Sequence, residues 1–244
     1  MTQENSWLGK FRHKLYSRSA DRPRLYGNSA KSFQDLVDRL RADGYFSQYG
    51  QDKWVIEEIL PNKKEGVFVD IGAHDGMAYS NTYILESNYN WSGLAVEPIP
   101  EVYDKLKSTR NCHTVNACVA ESTGKRVFRI NTGYNEMLSG LVNEYHPQHL
   151  ERISEDEFRE VEVSCFSFND LLKKFEINSV DYLNIDVEGA EYSILSNIDF
   201  NLFRIKVIGV ENNYGDYRIP KLLKKNGYKM HSIIGDDEFY VLKN

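Results

Sequence analysis

Acidic residues stand at the end of four short apolar segments of this sequence. Asp70 closes "VFVD", Glu97 closes "GLAVE", Asp186 closes "YLNID" and Glu211 closes "VIGVE". A carboxylate is costly to bury among apolar side chains, so we expect these acids at the rim of a sheet, facing a ligand. Capping of a following helix would explain one or two of the four. The set as a whole therefore indicates a binding site built from carboxylates.

The stretch "FVDIGAHDG" departs from the loop that holds dinucleotides. Gly72 and Gly76 stand four residues apart, with His74 where a nicotinamide-binding loop has a further glycine. Asp70 would repel a diphosphate but attract an ammonium group. A ligand with an amino acid head, a ribose and an adenine fits better, which indicates S-adenosylmethionine. Glu97 lies where an acid accepts the two ribose hydroxyls.

The elements that must position these residues alternate along the chain. Short runs rich in Val and Ile are typical of strands buried on both faces: "VFVDI" (67–71), "GLAVE" (93–97), "HTVNACV" (113–119), "VDYLNID" (180–186) and "IKVIGVE" (205–211). Helical patterns separate several of them, which predicts a mostly parallel, Rossmann-like α/β sheet with helices on both faces. The final "YKMHSII", "GDD" and "EFYVL" predict a hairpin, so the last strand should run antiparallel.

Composition limits the class of protein. The 244 residues are 41% hydrophobic and 27% charged, which is ordinary for a globular chain, and the net charge of −6 argues against a nucleic-acid partner. No apolar run is long enough to suggest a transmembrane helix, and the first residues lack the apolar segment of a signal peptide. Three cysteines without metal-site spacing favour a reducing compartment. We therefore expect a cytoplasmic protein.

The charge is distributed unevenly. Residues 1–31 hold seven Lys/Arg and two Asp/Glu, and their apolar residues fall near helical spacing: Trp7, Leu8, Phe11 and Leu15. A basic, amphipathic segment of this kind could contact a membrane surface peripherally or dock on a partner. It could equally be a flexible leader, or a helix that packs on its own domain. We treat residues 1–43 as a basic arm, partly helical or flexible.

Four blocks occurring in order resemble the FkbM-type family of class I, S-adenosylmethionine-dependent methyltransferases. They are "SQYGQD" (47–52), "VFVDIGAHDGMAYSNT" (67–82), "GLAVEPIP" (93–100) and "DYLNIDVEGAEYSIL" (181–195). The resemblance runs from about residue 44 and implies a methyltransferase domain over residues 44–244. Known members mostly methylate hydroxyls, often on sugars of glycans, glycolipids or secondary metabolites. The resemblance thus implies an O-methyltransferase.

The resemblance also suggests roles around the cofactor. Asp70, Gly72, Ala73 and Gly76 would form its loop, where glycines let the backbone approach closely. His74 would line the methionine end or turn to solvent. The remaining candidates are Gln48 near the cofactor, Ser80, Asn81 and Thr82 at a helix start, Ala117 near the adenine, and Asp186 at the reacting end. The three residues at the helix start could cap that helix, or they could bind the carboxylate of the cofactor, which the N-terminus of a helix favours.

A sugar hydroxyl is a weak acid, so its methylation needs a base or a metal. Asp186, Glu211 and Asn212 are similar to the oxygen ligands with which catechol-type methyltransferases bind Mg²⁺, and hard oxygen ligands suit that ion. Alternatively, Asp186 or Glu188 acts directly as the base.

The segment 131–160 is longer than an ordinary connection, which predicts a lid or an acceptor-binding insertion. Its His146 and His149 could bind a sugar, and His146 is a further candidate base. A surface helix with a polar face would explain the same pattern.

Two other function classes stay open. One is a nicotinamide-dependent oxidoreductase, against which the missing glycine and Asp70 argue. The other is a non-catalytic binding protein that keeps the methyltransferase fold.

Overall fold

The structure of the protein, a computed structural model, describes residues 33–243, apart from the side chain of residue 134. Two helices come first: α1 (Phe33–Ala42) and α2 (Gln51–Trp54), which continues as a π-helical turn over Val55–Ile59. Helix α1 buries Leu36, Val37 and Leu40 on one face. The part of the predicted arm that is described is therefore a packed amphipathic helix.

The rest of the predicted arm, residues 1–32, lies outside the described residues, as does its predicted amphipathic pattern. Within the described part of the chain, no helix is both long enough and apolar enough to span a bilayer.

Strands and helices then alternate as far as residue 115, after which several strands follow one another. In chain order they are β1 (Val67–Ile71), α3 (Tyr83–Tyr89), β2 (Ser92–Val96), α4 (Pro100–Thr109), β3 (His113–Val115), β4 (Cys118–Ala120), β5 (Gly124–Asn131), a 3₁₀ helix (Gly133–Leu138) and β6 (Gly140–Leu141).

The second half continues the alternation and ends in a hairpin. Its elements are α5 (Pro147–Arg152), β7 (Phe158–Ser167), α6 (Phe168–Lys174), β8 (Ser179–Ile185), α7 (Glu191–Ser196), β9 (Arg204–Glu211), α8 (Arg218–Lys225), β10 (Tyr228–Ile234) and β11 (Asp237–Leu242).

Seven strands form the main sheet, in the order β10-β11-β9-β8-β1-β2-β3. Strands β1, β2, β3, β8 and β9 pair in parallel, whereas β11 is antiparallel to both β9 and β10. Ile234 pairs with Asp237 across a two-residue turn in which Gly235 has a φ of 60°. Glycine is favoured at such a position in hairpin turns. The predicted parallel sheet with a reversed last strand is confirmed.

Apolar side chains cover both faces of this sheet. Along β1, Val69 belongs to the core cluster that includes Leu171 of α6, while its neighbour Phe68 packs in a cluster with Trp54 and Leu85. Successive residues of a strand point to opposite faces, so these are two separate layers. The main sheet is therefore covered on both sides, as the apolar runs predicted.

A second sheet of four strands, in the order β4-β7-β5-β6, was not predicted. The predicted strand over residues 113–119 is in fact two short strands, β3 in the main sheet and β4 in the second. The break falls at Asn116, whose amide Nδ2 donates to the carbonyl oxygens of Glu97 and Pro98 and so anchors the chain where it leaves the main sheet.

The predicted insertion, residues 131–160, belongs to this second sheet. Strands β5 and β7 pair antiparallel from Gly124 with Cys165 to Asn131 with Phe158. The segment between them carries the 3₁₀ helix, β6 and α5. The insertion is thus the connection between two long strands, and it lies over the carboxyl ends of the main-sheet strands.

Candidate active site

The loop after β1 is drawn tightly against the end of β8. Gly72 has a φ of 87°, and a Cβ atom there would lie 1.8 Å from the carbonyl oxygen of Asp186. The N–H of Asp186 donates to the carbonyl of Ile71 at 3.0 Å. Only glycine fits a positive φ with no room for a side chain. The two strand ends therefore form one unit that fixes the position of Asp186.

Asp70 is buried in a network of hydrogen bonds at the end of β1. Its Oδ2 accepts a bond of 2.5 Å from the Thr82 hydroxyl, and its Oδ1 accepts one of 2.9 Å from Asn184 Nδ2. Asn81 Nδ2 donates to Asn184 Oδ1 at 3.1 Å, while Asn81 Oδ1 is buried without a partner. The Ser80 hydroxyl accepts from the N–H groups of Thr82 and Tyr83, where α3 begins. A ligand amino group would satisfy the free oxygen of Asn81.

Glu97, just past the end of β2, is held in place by the main chain. Its two carboxylate oxygens accept hydrogen bonds from the N–H of His74 at 3.0 Å and of Ile99 at 2.8 Å. Burial raises the pKa of Glu97 to about 7, although these two bonds favour its ionised form. An oriented carboxylate of this kind is suited to accept hydrogen bonds from a diol.

A cleft of about 720 Å³ opens at these strand ends, and we call it the strand-end cleft. Its lining includes six of the predicted site residues: Gly72, His74, Glu97, Ala117, Asp186 and Glu188. Its apolar wall includes Val119 and Phe128 from the second sheet. An apolar wall with a few convergent polar groups is the usual lining of a small-molecule site. The unpredicted second sheet therefore supplies one wall of the site.

A smaller pocket of about 500 Å³ continues from the cleft, and we call it the inner pocket. Eight of its lining residues were predicted to contact a cofactor: Gln48, Asp70, Gly72, Ala73, His74, Ser80, Asn81 and Asp186. Gly72, His74 and Asp186 line both the cleft and the inner pocket. Together the two spaces offer an apolar region, an oriented acid and a polar end, which matches the chemistry of S-adenosylmethionine.

Of the remaining predicted contacts, Thr82 and Gly76 lie behind this surface. Arg110 holds them there: its Nη1 donates to the carbonyl of Gly76 at 3.2 Å and to the Thr82 hydroxyl at 3.1 Å, and its Nε pairs with Glu86 at 2.6 Å. Arg110 was not predicted because no motif near it in the sequence indicates a role for it. Asn184 was not predicted either, although a polar residue inside the apolar run "YLNID" is a usable signal.

Three acids converge where β8 and β9 end, and we call Asp186, Glu188 and Glu211 the carboxylate cluster. Each offers an oxygen within 4.8 Å of the others. Burial raises the pKa of Asp186 to about 6 and those of Glu188 and Glu211 well above the usual range. Glu188 also has a φ of 59°, which is strained for a residue with a long side chain. Such strain and crowding of like charges are typical of functional sites.

Of the two histidines predicted in the insertion, His149 reaches this cluster and His146 does not. His149 is fully buried, with its Nδ1 3.4 Å from Glu188 Oε2 and its Nε2 3.0 Å from the carbonyl oxygen of Leu138. His146 is exposed, caps α5 and stacks on Tyr214 at 4.3 Å. His146 thus stands apart from His149, and its role as a base stays a prediction.

Asn212 does not join the carboxylate cluster, contrary to the predicted Mg²⁺ ligand set. Its Oδ1 accepts from the N–H of Asp216 at 2.7 Å, and its Nδ2 donates to Glu238 at 3.1 Å. Asn212 closes the loop after β9 because its side chain satisfies the main chain there. The side chain that completes the group of three is Glu188.

A third space of about 680 Å³ lies beside the cluster, and we call it the aromatic cavity. Its lining includes Tyr145, His146, Tyr192, Glu211, Tyr214 and Arg218. The rings of His146 and Tyr214 stack within 10° of parallel, and the Arg218 guanidinium lies 4.1 Å from the centre of the Tyr192 ring. Glu211 lines both this cavity and the inner pocket.

The larger part of the sequence matches a known domain. A profile of the "Methyltransferase FkbM domain" matches residues 70–230, which is well over half of the chain. The chain belongs to the FkbM methyltransferase family. The resemblance drawn from the four sequence blocks is confirmed, and a methyltransferase is favoured over a nicotinamide-dependent oxidoreductase.

Among curated proteins, this FkbM-family chain is 24% identical over 226 residues to Methyltransferase 1 of Beauveria bassiana, an alignment that covers 79% of this chain and 90% of that protein. Among solved structures, an FkbM methyltransferase of Methylobacillus flagellatus is 10% identical with a TM-score of 0.46, covering 93% of this chain and 59% of that one. Fibrillarin of Aeropyrum pernix, solved with bound S-adenosylmethionine, is 13% identical with a TM-score of 0.44, covering 80% and 73%.

Proposed function

We propose that this protein is an S-adenosylmethionine-dependent O-methyltransferase whose acceptor is the hydroxyl of a sugar, in a glycan, a glycolipid or a secondary metabolite. The observation that carries the proposal is the position of the carboxylate cluster. Asp186 lines the strand-end cleft and the inner pocket, while Glu211 lines the inner pocket and the aromatic cavity. Proton-accepting groups thus lie between a space suited to the cofactor and a space suited to the acceptor.

Different residues along the cleft would contact different parts of the cofactor. Glu97 would accept hydrogen bonds from the ribose hydroxyls, and Ala117 would lie near the adenine. Asn81, whose buried Oδ1 has no partner, and Gln48 would receive the amino acid end in the inner pocket. When bound, S-adenosylmethionine supplies an electrophilic methyl group that ends on the acceptor oxygen, leaving S-adenosylhomocysteine.

The carboxylate cluster would receive the proton that the hydroxyl gives up. The oxygens of Glu188 and Glu211 that lack hydrogen-bond partners are out of contact with solvent. A carboxylate stripped of water is a stronger base than one on the surface. Where no metal ion is bound, Asp186 or Glu188 would take the proton as the oxygen accepts the methyl group, since both line the cleft in which the methyl group would lie.

The aromatic cavity would hold the acceptor. A flat ring such as that of Tyr214 matches the apolar C–H face of a sugar, as aromatic rings pack well against flat apolar surfaces. Asp216, Glu144 and Arg218 line the same cavity and offer groups that hydrogen-bond to sugar hydroxyls. Shape and polarity together therefore favour a sugar over a purely apolar acceptor.

Residues 131–160 would act as the lid of the methyltransferase domain, which we take to span residues 44–244. The 3₁₀ helix carries Met137, which is 47% exposed and lines both the cleft and the inner pocket. Closure of such a segment over bound ligands would bury this methionine and exclude water from the reacting groups.

Binding of the cofactor separates this proposal from a nicotinamide-dependent oxidoreductase, and methyl transfer separates it from a non-catalytic binding protein. Calorimetry with the full chain should give one site for S-adenosylmethionine and no heat with NAD. Glu97→Gln should weaken binding of S-adenosylmethionine by about ten- to a hundredfold, because it removes a charge-assisted hydrogen bond. The exposed acid Glu101, on α4, provides the control Glu101→Gln, which should bind like the native chain. Binding of NAD instead would refute the proposal.

A further inference from the structure

We propose that Asp186, Glu188 and Glu211, with His149 as a fourth ligand, bind one divalent cation of the Mn²⁺ and Mg²⁺ class. The site lies at the junction of the strand-end cleft, the inner pocket and the aromatic cavity. The role of the cation in orienting an acceptor hydroxyl rests on the proposed function. Its binding does not, and can be measured without any methyl transfer.

The distances within the carboxylate cluster suit a single ion. Oxygen ligands lie roughly 2.0–2.1 Å from Mg²⁺, so two ligand atoms on opposite sides of one ion are roughly 4 Å apart, and small side-chain rotations adjust the rest. The cluster offers one oxygen from each acid, all within 4.8 Å of one another. No rearrangement of the backbone is therefore needed to place one ion among them.

His149 points a free nitrogen into the same place. Its Nε2 lies 3.0 Å from the carbonyl oxygen of Leu138, which can only accept, so Nε2 carries the proton. In neutral imidazole, Nδ1 then presents a lone pair, and this buried atom has no hydrogen-bond partner. It lies 3.4 Å from Glu188 Oε2, which is likewise unpartnered. Two groups that only accept face each other here, and a cation between them would satisfy both.

This arrangement is the one that metal-ligating histidines adopt. Such a histidine donates its other ring N–H to a main-chain carbonyl or a carboxylate, which fixes the ring and its tautomer. Leu138 supplies that carbonyl for His149, and Tyr145 stacks on the ring at 4.8 Å. The ring is thus held with its free nitrogen toward the carboxylate cluster before any ion arrives.

The charge of the cluster calls for a cation. Among residues 33–243, no lysine or arginine nitrogen lies within 4.0 Å of these three carboxylates, and Arg152 acts on Glu188 only from a greater distance. Asp186 and Glu211 lie close enough to share a hydrogen bond, which requires a proton between them. Protons could neutralise the group instead of a metal, and the experiment must separate these two cases.

Binding can be followed with Mn²⁺ itself. We would strip the full chain with EDTA, exchange it into chelator-free buffer near pH 7.5, and titrate Mn²⁺ while recording the electron paramagnetic resonance signal of the free aqueous ion. The native chain should remove one equivalent of that signal, and Mg²⁺ should release the bound Mn²⁺. Glu188→Gln and Glu211→Gln should each weaken Mn²⁺ binding at least tenfold.

Two further variants sharpen the assignment. His149→Gln should weaken Mn²⁺ binding more than Mg²⁺ binding, because Mg²⁺ is the harder ion of the two and depends more completely on oxygen ligands. Glu151→Gln, an exposed acid on the same helix as His149, should bind Mn²⁺ like the native chain. If the native chain retains no Mn²⁺, protons alone neutralise the cluster and the proposal is wrong. The proposal would also be wrong if Glu188→Gln and Glu211→Gln bound Mn²⁺ as tightly as the control Glu151→Gln.

Discussion

Gly72 lies directly against the main chain of Asp186. The Cβ of any other residue at position 72 would come within 1.8 Å of the Asp186 carbonyl oxygen. The loop that would hold the cofactor and the residue that begins the carboxylate cluster are therefore a single packed unit. A substitution at Gly72 should therefore displace Asp186, and a substitution at Asp186 should disturb the loop.

Gly72→Ala should destabilise the protein and abolish cofactor binding. The positive φ alone costs an alanine roughly 1–2 kcal/mol, and the overlap with Asp186 adds to that cost, so we expect a loss of roughly 3 kcal/mol or more. Gly44→Ala is the matched control, because Gly44 has a φ of 86° but no atom within 4 Å of an added Cβ. Denaturant unfolding of both variants measures the difference. Equal losses would show that the contact with Asp186 contributes nothing.

The affinity for S-adenosylmethionine should rise with pH through the titration of Glu97. Burial raises its pKa to about 7, so Glu97 is mostly protonated near pH 6 and mostly ionised near pH 8. Ribose hydroxyls donate to the ionised form. The groups that face Glu97 are the N–H groups of Ile99 and His74 and the acids Glu136 and Asp70. We expect an increase of about tenfold between these two pH values.

Calorimetry of the native chain and of Glu97→Gln across this range checks the prediction. The variant should show a flatter dependence, since only titration of the ligand itself would be left. The stability of the ligand-free protein should change in the opposite direction. Because the pKa of Glu97 is higher in the folded than in the unfolded chain, its contribution to the free energy of unfolding is lost as the pH rises from about 4.5 to about 7. Identical pH dependence of binding in both proteins would remove Glu97 from the cofactor site.

Much of the main sheet could be predicted from the sequence because its strands are buried on both faces. Continuous apolar runs such as "VFVDI" leave little choice of structure, and the acids that end them must emerge at the rim. The second sheet was missed for the opposite reason. Strands β5 and β7 are partly exposed and interleave charges with apolar residues, as in "GKRVFRIN", so they were not distinguished from a loop.

The composition of the site depends on contacts that spacing along the chain does not reveal. Glu188 and His149 are 39 positions apart, yet their side chains lie 3.4 Å apart because the insertion folds back over the end of β8. Asn212 was expected beside Asp186 by analogy, but its loop uses the amide to bond its own main chain. Only the fold distinguishes a side chain aimed at a site from one that closes a turn.

The aromatic cavity should control the acceptor and not the cofactor. Tyr214→Ala should raise the KM for a sugar acceptor about two- to tenfold, the equivalent of roughly 0.5–1.5 kcal/mol of ring packing, and leave the KM for S-adenosylmethionine unchanged. Tyr217 is 56% exposed and lies outside the cavity, so Tyr217→Ala is the control. A steady-state methyl-transfer assay with both substrates varied measures these constants. A change only in the cofactor KM would contradict the assignment of the cavity.

Transfer of a labelled methyl group tests the central claim most directly. The full chain would be incubated with S-adenosylmethionine carrying a ¹³C-methyl group, a divalent cation and a pool of sugars and glycans, and the products examined by NMR and mass spectrometry. We predict a ¹³C-methoxy signal on a sugar oxygen, with formation of S-adenosylhomocysteine, and its loss in Glu188→Gln. A label found on nitrogen or carbon, or no transfer to any hydroxyl by a chain that binds S-adenosylmethionine, would contradict the account.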